Sequence, residues 1–100
     1  MKILTHTQLE SECMKLVGKA GGMHRKLDVG HGAKHWLDQS VWLPGGVHFI
    51  VEFKMPDDRL SPGQAAKLRS FQALGQKVFV VGSLPDFERL LESFAGHHTV

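Results

Sequence analysis

Gln39-Ser40-Val41-Trp42-Leu43-Pro44-Gly45-Gly46-Val47-His48-Phe49-Ile50-Val51-Glu52-Phe53-Lys54 is the stretch on which the fold turns. Two runs rich in β-branched and aromatic residues flank Pro44-Gly45-Gly46, a turn signal, so an antiparallel hairpin is predicted with strands at Gln39 to Leu43 and Val47 to Phe53. With Pro44 to Gly46 as the loop, Leu43 pairs with Val47, Val41 with Phe49 and Gln39 with Val51, and Asp38 then stands opposite Glu52. Side chains alternate along a strand, so Val41, Leu43, Val47, Phe49, Val51 and Phe53 share one face. Asp38, Ser40, Trp42, His48, Ile50, Glu52 and Lys54 share the other. A slip of one residue would break both groups, so the apolar pattern supports the register independently.

Like charges set against each other destabilise a sheet. A divalent cation between Asp38 and Glu52 would offset that repulsion. Mg²⁺ takes oxygen ligands from one or two carboxylates plus water and substrate phosphate, and the backbone carbonyl of Phe53 adds another oxygen. Lys54 then points toward an attacking water or a scissile phosphate. The pattern is that of a metal-dependent phosphodiesterase centre. The plain alternative is a partly exposed strand carrying ordinary charges, since Glu-x-Lys alone is a common triplet.

Around the hairpin, a first helix is expected from Gln8 to Ala20, capped by Thr7 and stopped at Gly21-Gly22. Its buried stripe is Leu9, Cys13, Leu16, Val17 and Ala20. Glu10 lies on the flank of that stripe and has two readings: an acid that reaches the site, or the partner of Thr7 in a capping box. A second helix starts at Ser61-Pro62 and runs to about Leu74, with Gly75 as its stop. There Gln64 either closes a Ser61-x-x-Gln64 capping box or projects toward the sheet. Lys67, one turn on, is placed to meet phosphate or simply to be solvated. Lys77 to Val81 reads as a strand buried on both faces. Ser83 to Phe94 reads as a third helix burying Phe87, Leu90, Leu91 and Phe94.

Between Met23 and Trp36 a short strand near His24 to Asp28 is expected, followed by a glycine-containing stretch. Arg25, Lys26 and Lys34, with His31 and His35, make it the densest positive segment outside the site. Such cations suit contacts to a nucleic-acid backbone, which add affinity without reading sequence. The other reading is a polar surface loop. His31 and His35 have the i, i+4 spacing of zinc ligands, but the glycines oppose a helix there and nothing completes a ligand set.

Composition bounds these readings. One hundred residues make one small domain, taken as 1–100 with 96–100 as a loose tail. The 42% hydrophobic content argues for a folded globule. No run approaches the roughly 18 apolar residues of a membrane span, and the residues from Met1 to His6 lack the apolar core of a signal peptide. A single cysteine, Cys13, excludes an internal disulfide and suits a reducing cytosol. The net charge of +2 is small, so a nucleic-acid surface must be a local patch.

The ordered set Asp38 to Gly46, Phe49 to Lys54, Leu60-Ser61-Pro62-Gly63-Gln64 and Leu74 to Val81 resembles the VRR-NUC domain, a branch of the PD-(D/E)xK nuclease superfamily. The likeness covers about Leu9 to Val81. It implies an α/β restriction-endonuclease-like core: helix, three-stranded antiparallel element, helix, strand, helix. It also implies Mg²⁺- or Mn²⁺-dependent hydrolysis of DNA. By this resemblance Asp38 and Glu52 are metal ligands, Lys54 is the catalytic lysine, and Gln64 is a helix glutamine near the site. Glu10 is the acid of the first helix, which helps position a second metal or its water. The small viral members imply branched DNA, such as four-way (Holliday) junctions, cut by a homodimer in the cytoplasm of a phage-infected or bacterial cell. An inactive nucleic-acid-binding module with the same fold is the alternative. One departure stands out: the family pattern Gly-x-Pro-Asp is replaced by His35-Trp36-Leu37-Asp38, so no proline stiffens the approach to the acid.

Overall fold

The structure is a computed structural model and describes residues 4–27 and 36–95. Helix α1 (His6–Lys19) leads into strand β1 (Met23–Lys26), then β2 (Gln39–Leu43) and β3 (Val47–Phe53). Helix α2 (Pro62–Ala73), strand β4 (Val78–Val81) and helix α3 (Leu84–Ala95) follow. This is the expected α/β order. The predicted tail 96–100 and the segment with Lys34, His31 and His35 lie outside the described residues.

The four strands form one sheet in the order β1-β2-β3-β4. β1, β2 and β3 are antiparallel, and β4 runs parallel to β3, as a helix-containing connection allows. The hairpin has the predicted register: Gln39↔Val51, Val41↔Phe49 and Leu43↔Val47. Its turn works because Gly45 and Gly46 take φ of 88° and 78°, a region other residues enter only at a steric cost. Val41, Leu43, Phe49, Val51 and Phe53 are buried on one face, beneath α1 and α3. Phe49 stacks on Phe94 and meets Phe79 edge-on, and Phe53 and Phe87 close the cluster. Helix α2 lies over the opposite face, the one that carries Glu52.

Three expectations change. α1 begins two residues earlier, because Thr5 and not Thr7 is the cap: the Thr5 hydroxyl accepts the Gln8 backbone N–H and the Gln8 side-chain Oε1 accepts the Thr5 N–H. Glu10 is therefore in the second turn, too far along to close a box. The buried stripe is Leu9, Glu10, Cys13, Met14 and Val17, while Leu16 is half-buried and Ala20 exposed at the end of the helix. β4 is not buried on both faces either. It is the edge strand, α2 covers it only in part, and Val80 is 47% exposed.

Candidate active site

Glu52 occupies the face of β3 opposite the aromatic core and is 1% exposed. Its two carboxylate oxygens have different surroundings. Oε2 accepts a hydrogen bond from Gln64 Nε2 at 3.1 Å and lies 3.5 Å from Lys54 Nζ. Oε1 is buried, and among the described residues no hydrogen-bond partner reaches it. Burial, followed by the nearby Asp38 charge, pushes the Glu52 carboxyl from 4.5 up to about 7, against the opposing pull of Lys54 and of the Asp38 backbone N–H.

Asp38 reaches the site from a different local structure than expected. The β2–β3 ladder ends at Gln39↔Val51, and Asp38 sits just beyond it in a bend. Its Oδ2 accepts the Phe53 N–H at 2.9 Å, so the carboxylate continues the ladder where a backbone carbonyl would otherwise serve. The absent proline is made good by other means. Leu37 is fully buried immediately before the acid, and the Asp38 carbonyl accepts the Leu27 N–H at 2.9 Å. Both sides of the bend are thereby anchored.

Gln64 fulfils both of its readings at once. Its Oε1 accepts the Ser61 N–H at 3.1 Å, and its Nε2 donates to Glu52. The amide group thus ties the start of α2 to the site. Lys54 is half-buried beside Glu52. Glu10, by contrast, is drawn into a neighbouring polar group on the α1 side of the sheet. Its Oε2 accepts from Gln39 Nε2 at 2.6 Å and lies 3.5 Å from Lys26 Nζ, and His24 bonds the same Gln39. This group borders a cavity of about 440 Å³ lined by Thr7, Glu10, Ser11, Met14, His24 and Lys26, among others. Arg25 is exposed on β1. Lys67 lies 4.4 Å over the ring of Trp36, which packs against Phe71.

His6 was missed in the sequence. The first residue of α1, it meets Phe53 edge-on, and its Nε2 donates to the Phe53 carbonyl at 2.8 Å and lies 3.4 Å from Asp38 Oδ2. A carbonyl only accepts, so Nε2 carries the hydrogen. Thr5-x-x-Gln8, which fits a capping box, is the signal in the sequence that places His6 at the first helical position.

Among the described residues no group of three or more His, Cys, Asp or Glu side chains is arranged to hold a metal ion. The donor set nevertheless fits a hard cation that keeps water or substrate ligands: two carboxylates at one sheet end, a backbone carbonyl between Glu52 and Lys54, and a buried oxygen with no partner among the described residues. Leaving such an oxygen unsatisfied costs about 1–3 kcal/mol, which an ion would offset.

No protein-family profile matches the sequence. A curated protein of Acyrthosiphon pisum secondary endosymbiont phage 1, "Putative nuclease p44", is 31% identical over 83 residues, spanning 83% of this chain and 88% of its own length. A solved structure described as a VRR-NUC domain superposes with a TM-score of 0.78 at 29% identity, covering 95% of this chain and 97% of that one. With fold, strand register and these likenesses in agreement, the chain belongs to the VRR-NUC family of nucleases.

Proposed function

We propose that this protein is a Mg²⁺- or Mn²⁺-dependent endonuclease that hydrolyses DNA phosphodiester bonds. The observation that carries the reading is the divided environment of Glu52: one oxygen held by Gln64 and Lys54, the other buried beside a second acid with no hydrogen-bond partner among the described residues. Asp38, Glu52 and the Phe53 carbonyl would hold the cation. Such an ion lowers the pKa of a bound water and stabilises charge on the phosphoryl group. Lys54 neutralises the phosphate or orients the water, and Gln64 keeps the Glu52 carboxylate from turning away. Glu10 acts at one remove: bound to Gln39, the residue after Asp38, it steadies the start of β2.

Branched DNA, including four-way junctions, is the proposed substrate, in keeping with the likeness to the small viral members of the family. Arg25 and Lys26 on β1 and Lys67 on α2, together with Lys34, supply backbone contacts. A homodimer would set two such sites on two strands, in the cytoplasm of a bacterial or phage-infected cell, where Cys13 stays reduced. Cleavage of a labelled panel of junction, flap, duplex and single strand, with and without metal, tests the reading. Folded Asp38→Ala and Lys54→Ala variants are expected to lose metal-dependent cutting, and undiminished cutting by either overturns the assignment. Junction binding without cleavage in Mg²⁺ or Mn²⁺ would identify an inactive module instead. Light scattering that finds only monomer at micromolar concentration removes the dimer.

A further inference from the structure

We infer that Trp42 and His48 form a stacking platform for an unpaired nucleobase of branched or single-stranded DNA, on the same sheet face as Glu52. The inference rests on the nuclease reading above and adds to it how an unpaired strand is recognised.

Trp42 and His48 are direct partners across the β2–β3 hairpin, so their side chains leave the sheet on one face. Alternation along β3 puts Glu52 on that face too. The indole and imidazole rings stack with centroids 5.1 Å apart and planes 29° from parallel. The imidazole is fixed in turn by a hydrogen bond of 2.6 Å between its Nε2 and Oγ of Ser40, a buried residue. The strand beneath the indole is held as well, since Gly22 packs so closely on the Trp42 carbonyl that a Cβ there would come within 2.4 Å. The platform is therefore pre-organised, and little ordering is left to accompany docking of a base.

This pair stands outside the aromatic core. Trp42 is 39% exposed and its cross-strand neighbour on β1, Met23, is 68% exposed. Adjacent large apolar side chains left in water mark a surface that meets a partner. Charge selects which partner. Arg25, exposed on β1 and paired with Ser40, lies on the same face, and residues 21–27 and 39–51 contain no Asp or Glu. An aromatic surface edged by a guanidinium and free of acids suits a nucleotide: the base stacks on the indole while the phosphate meets the cation.

Distance connects the platform to the site. From His48 to Glu52 the strand advances roughly 13 Å, about the rise of four stacked nucleotides at 3.4 Å each. A base seated on Trp42 is thus within reach of a strand whose phosphate lies at Glu52. Bases inside a duplex are already stacked on both faces and must be extruded at a cost, so the indole favours a base at a branch point or on a single strand. Every base has a π-face, and the platform accordingly discriminates structure without reading sequence.

The test measures binding in EDTA, where cleavage and metal affinity do not enter, by anisotropy of a labelled oligothymidine, a four-way junction and a blunt duplex. Trp42→Ala, confirmed folded by circular dichroism, is expected to bind the single strand and the junction about tenfold more weakly, with duplex affinity nearly unchanged. Trp42→Phe should recover most of the loss because it keeps an aromatic face. The slope of log affinity against log salt should hold in Trp42→Ala and fall by about one in Arg25→Ala. The chain has two tryptophans, so in Trp36→Phe the remaining indole is Trp42, and its fluorescence should be quenched on binding oligothymidine. Oligothymidine that binds without quenching overturns the platform, as does a Trp42→Ala protein with no loss or with an equal loss for duplex and single strand. The nuclease reading stands in those cases if the wild type still cuts DNA in Mg²⁺ or Mn²⁺. A Trp42→Ala protein that falls from dimer to monomer in light scattering while its single-strand affinity holds assigns the patch to a second copy of the chain and also overturns the proposal. A wild type that neither binds nor cuts any of these DNAs removes the nuclease reading and the inference with it. Because the quenching measurement leaves Trp42 in place, misfolding of Trp42→Ala does not leave the question open.

Discussion

At Glu52, burial and a neighbouring acid act together against ionisation. The Glu52 carboxyl is raised from 4.5 to about 7, first by burial and then by Asp38. A group with a raised folded pKa favours the folded state fully below the unfolded value of 4.5, and that favour is lost as pH rises through about 7. Above that window the ionised, metal-free site costs about 3 kcal/mol, taking 1.36 kcal/mol per pKa unit. Glu52→Gln is therefore expected to raise the melting temperature at pH 8 in EDTA. The gain should shrink toward zero as pH falls to about 4.5, and thermal scans across that range check it. Gln64 offers a sharper separation. Gln64→Ala should weaken metal affinity or activity about 10–100-fold by freeing the Glu52 carboxylate. Ser61→Ala removes only the helix cap, costs about 0.5–2 kcal/mol in urea unfolding and leaves metal affinity in place. At this scale the sequence spoke ambiguously about Glu10. Thr7-x-x-Glu10 matches a capping box, yet the box forms between Thr5 and Gln8 and Glu10 is buried against Gln39.

The hairpin formed by β2 and β3 is the element most legible in the sequence, because a period of two and a glycine turn leave one register that buries all of Val41, Phe49, Val51 and Phe53. Less legible was how α1 joins the sheet. A side chain at Gly22 would meet the Trp42 carbonyl oxygen at 2.4 Å and Leu43 Cδ2 and Val17 Cγ1 at 3.0 Å, so the end of α1 presses directly on β2. Gly22→Ala is expected to destabilise by about 1–3 kcal/mol, since the backbone oxygen cannot step aside as a flexible side chain would. Chemical denaturation midpoints measure this. β4 shows the limit of reading a strand by composition. Its apolar run suggested burial on both faces, yet an edge position leaves Val80 exposed, and a strand's place in the sheet is set by its partners.

Across the whole molecule, stability rests on the aromatic cluster between the sheet and the α1–α3 layer, with Phe49 at its centre and fully buried. Phe49→Ala should cost about 3–5 kcal/mol, a large share of the 5–15 kcal/mol that holds a domain of this kind together. The single cysteine reports on it. Cys13 is fully buried in the same core, and burial, with lesser contributions from Glu12, Glu88 and Glu10, pushes its thiol up to about 12. In native buffer it should react with a disulfide reagent only through opening of the fold. Phe49→Ala should speed that reaction on the order of 100-fold or more if opening is global. A fast wild-type reaction would show that α1 opens locally.

What the chain by itself determined depends on neighbours in sequence: the hairpin and its register, the start and stop of α2, the span of α3, and the presence of Asp38, Glu52 and Lys54 at one end of the sheet; the start of α1, equally local, was the exception. Strand alternation and turn chemistry are local, so they can be read residue by residue. Only the tertiary structure decided that Glu10 turns to Gln39 and Lys26, how deeply Glu52 is buried, and that His6 lies against the Phe53 carbonyl. Those outcomes depend on contacts through space between distant segments, and no spacing along the chain encodes the direction from which a helix approaches a strand.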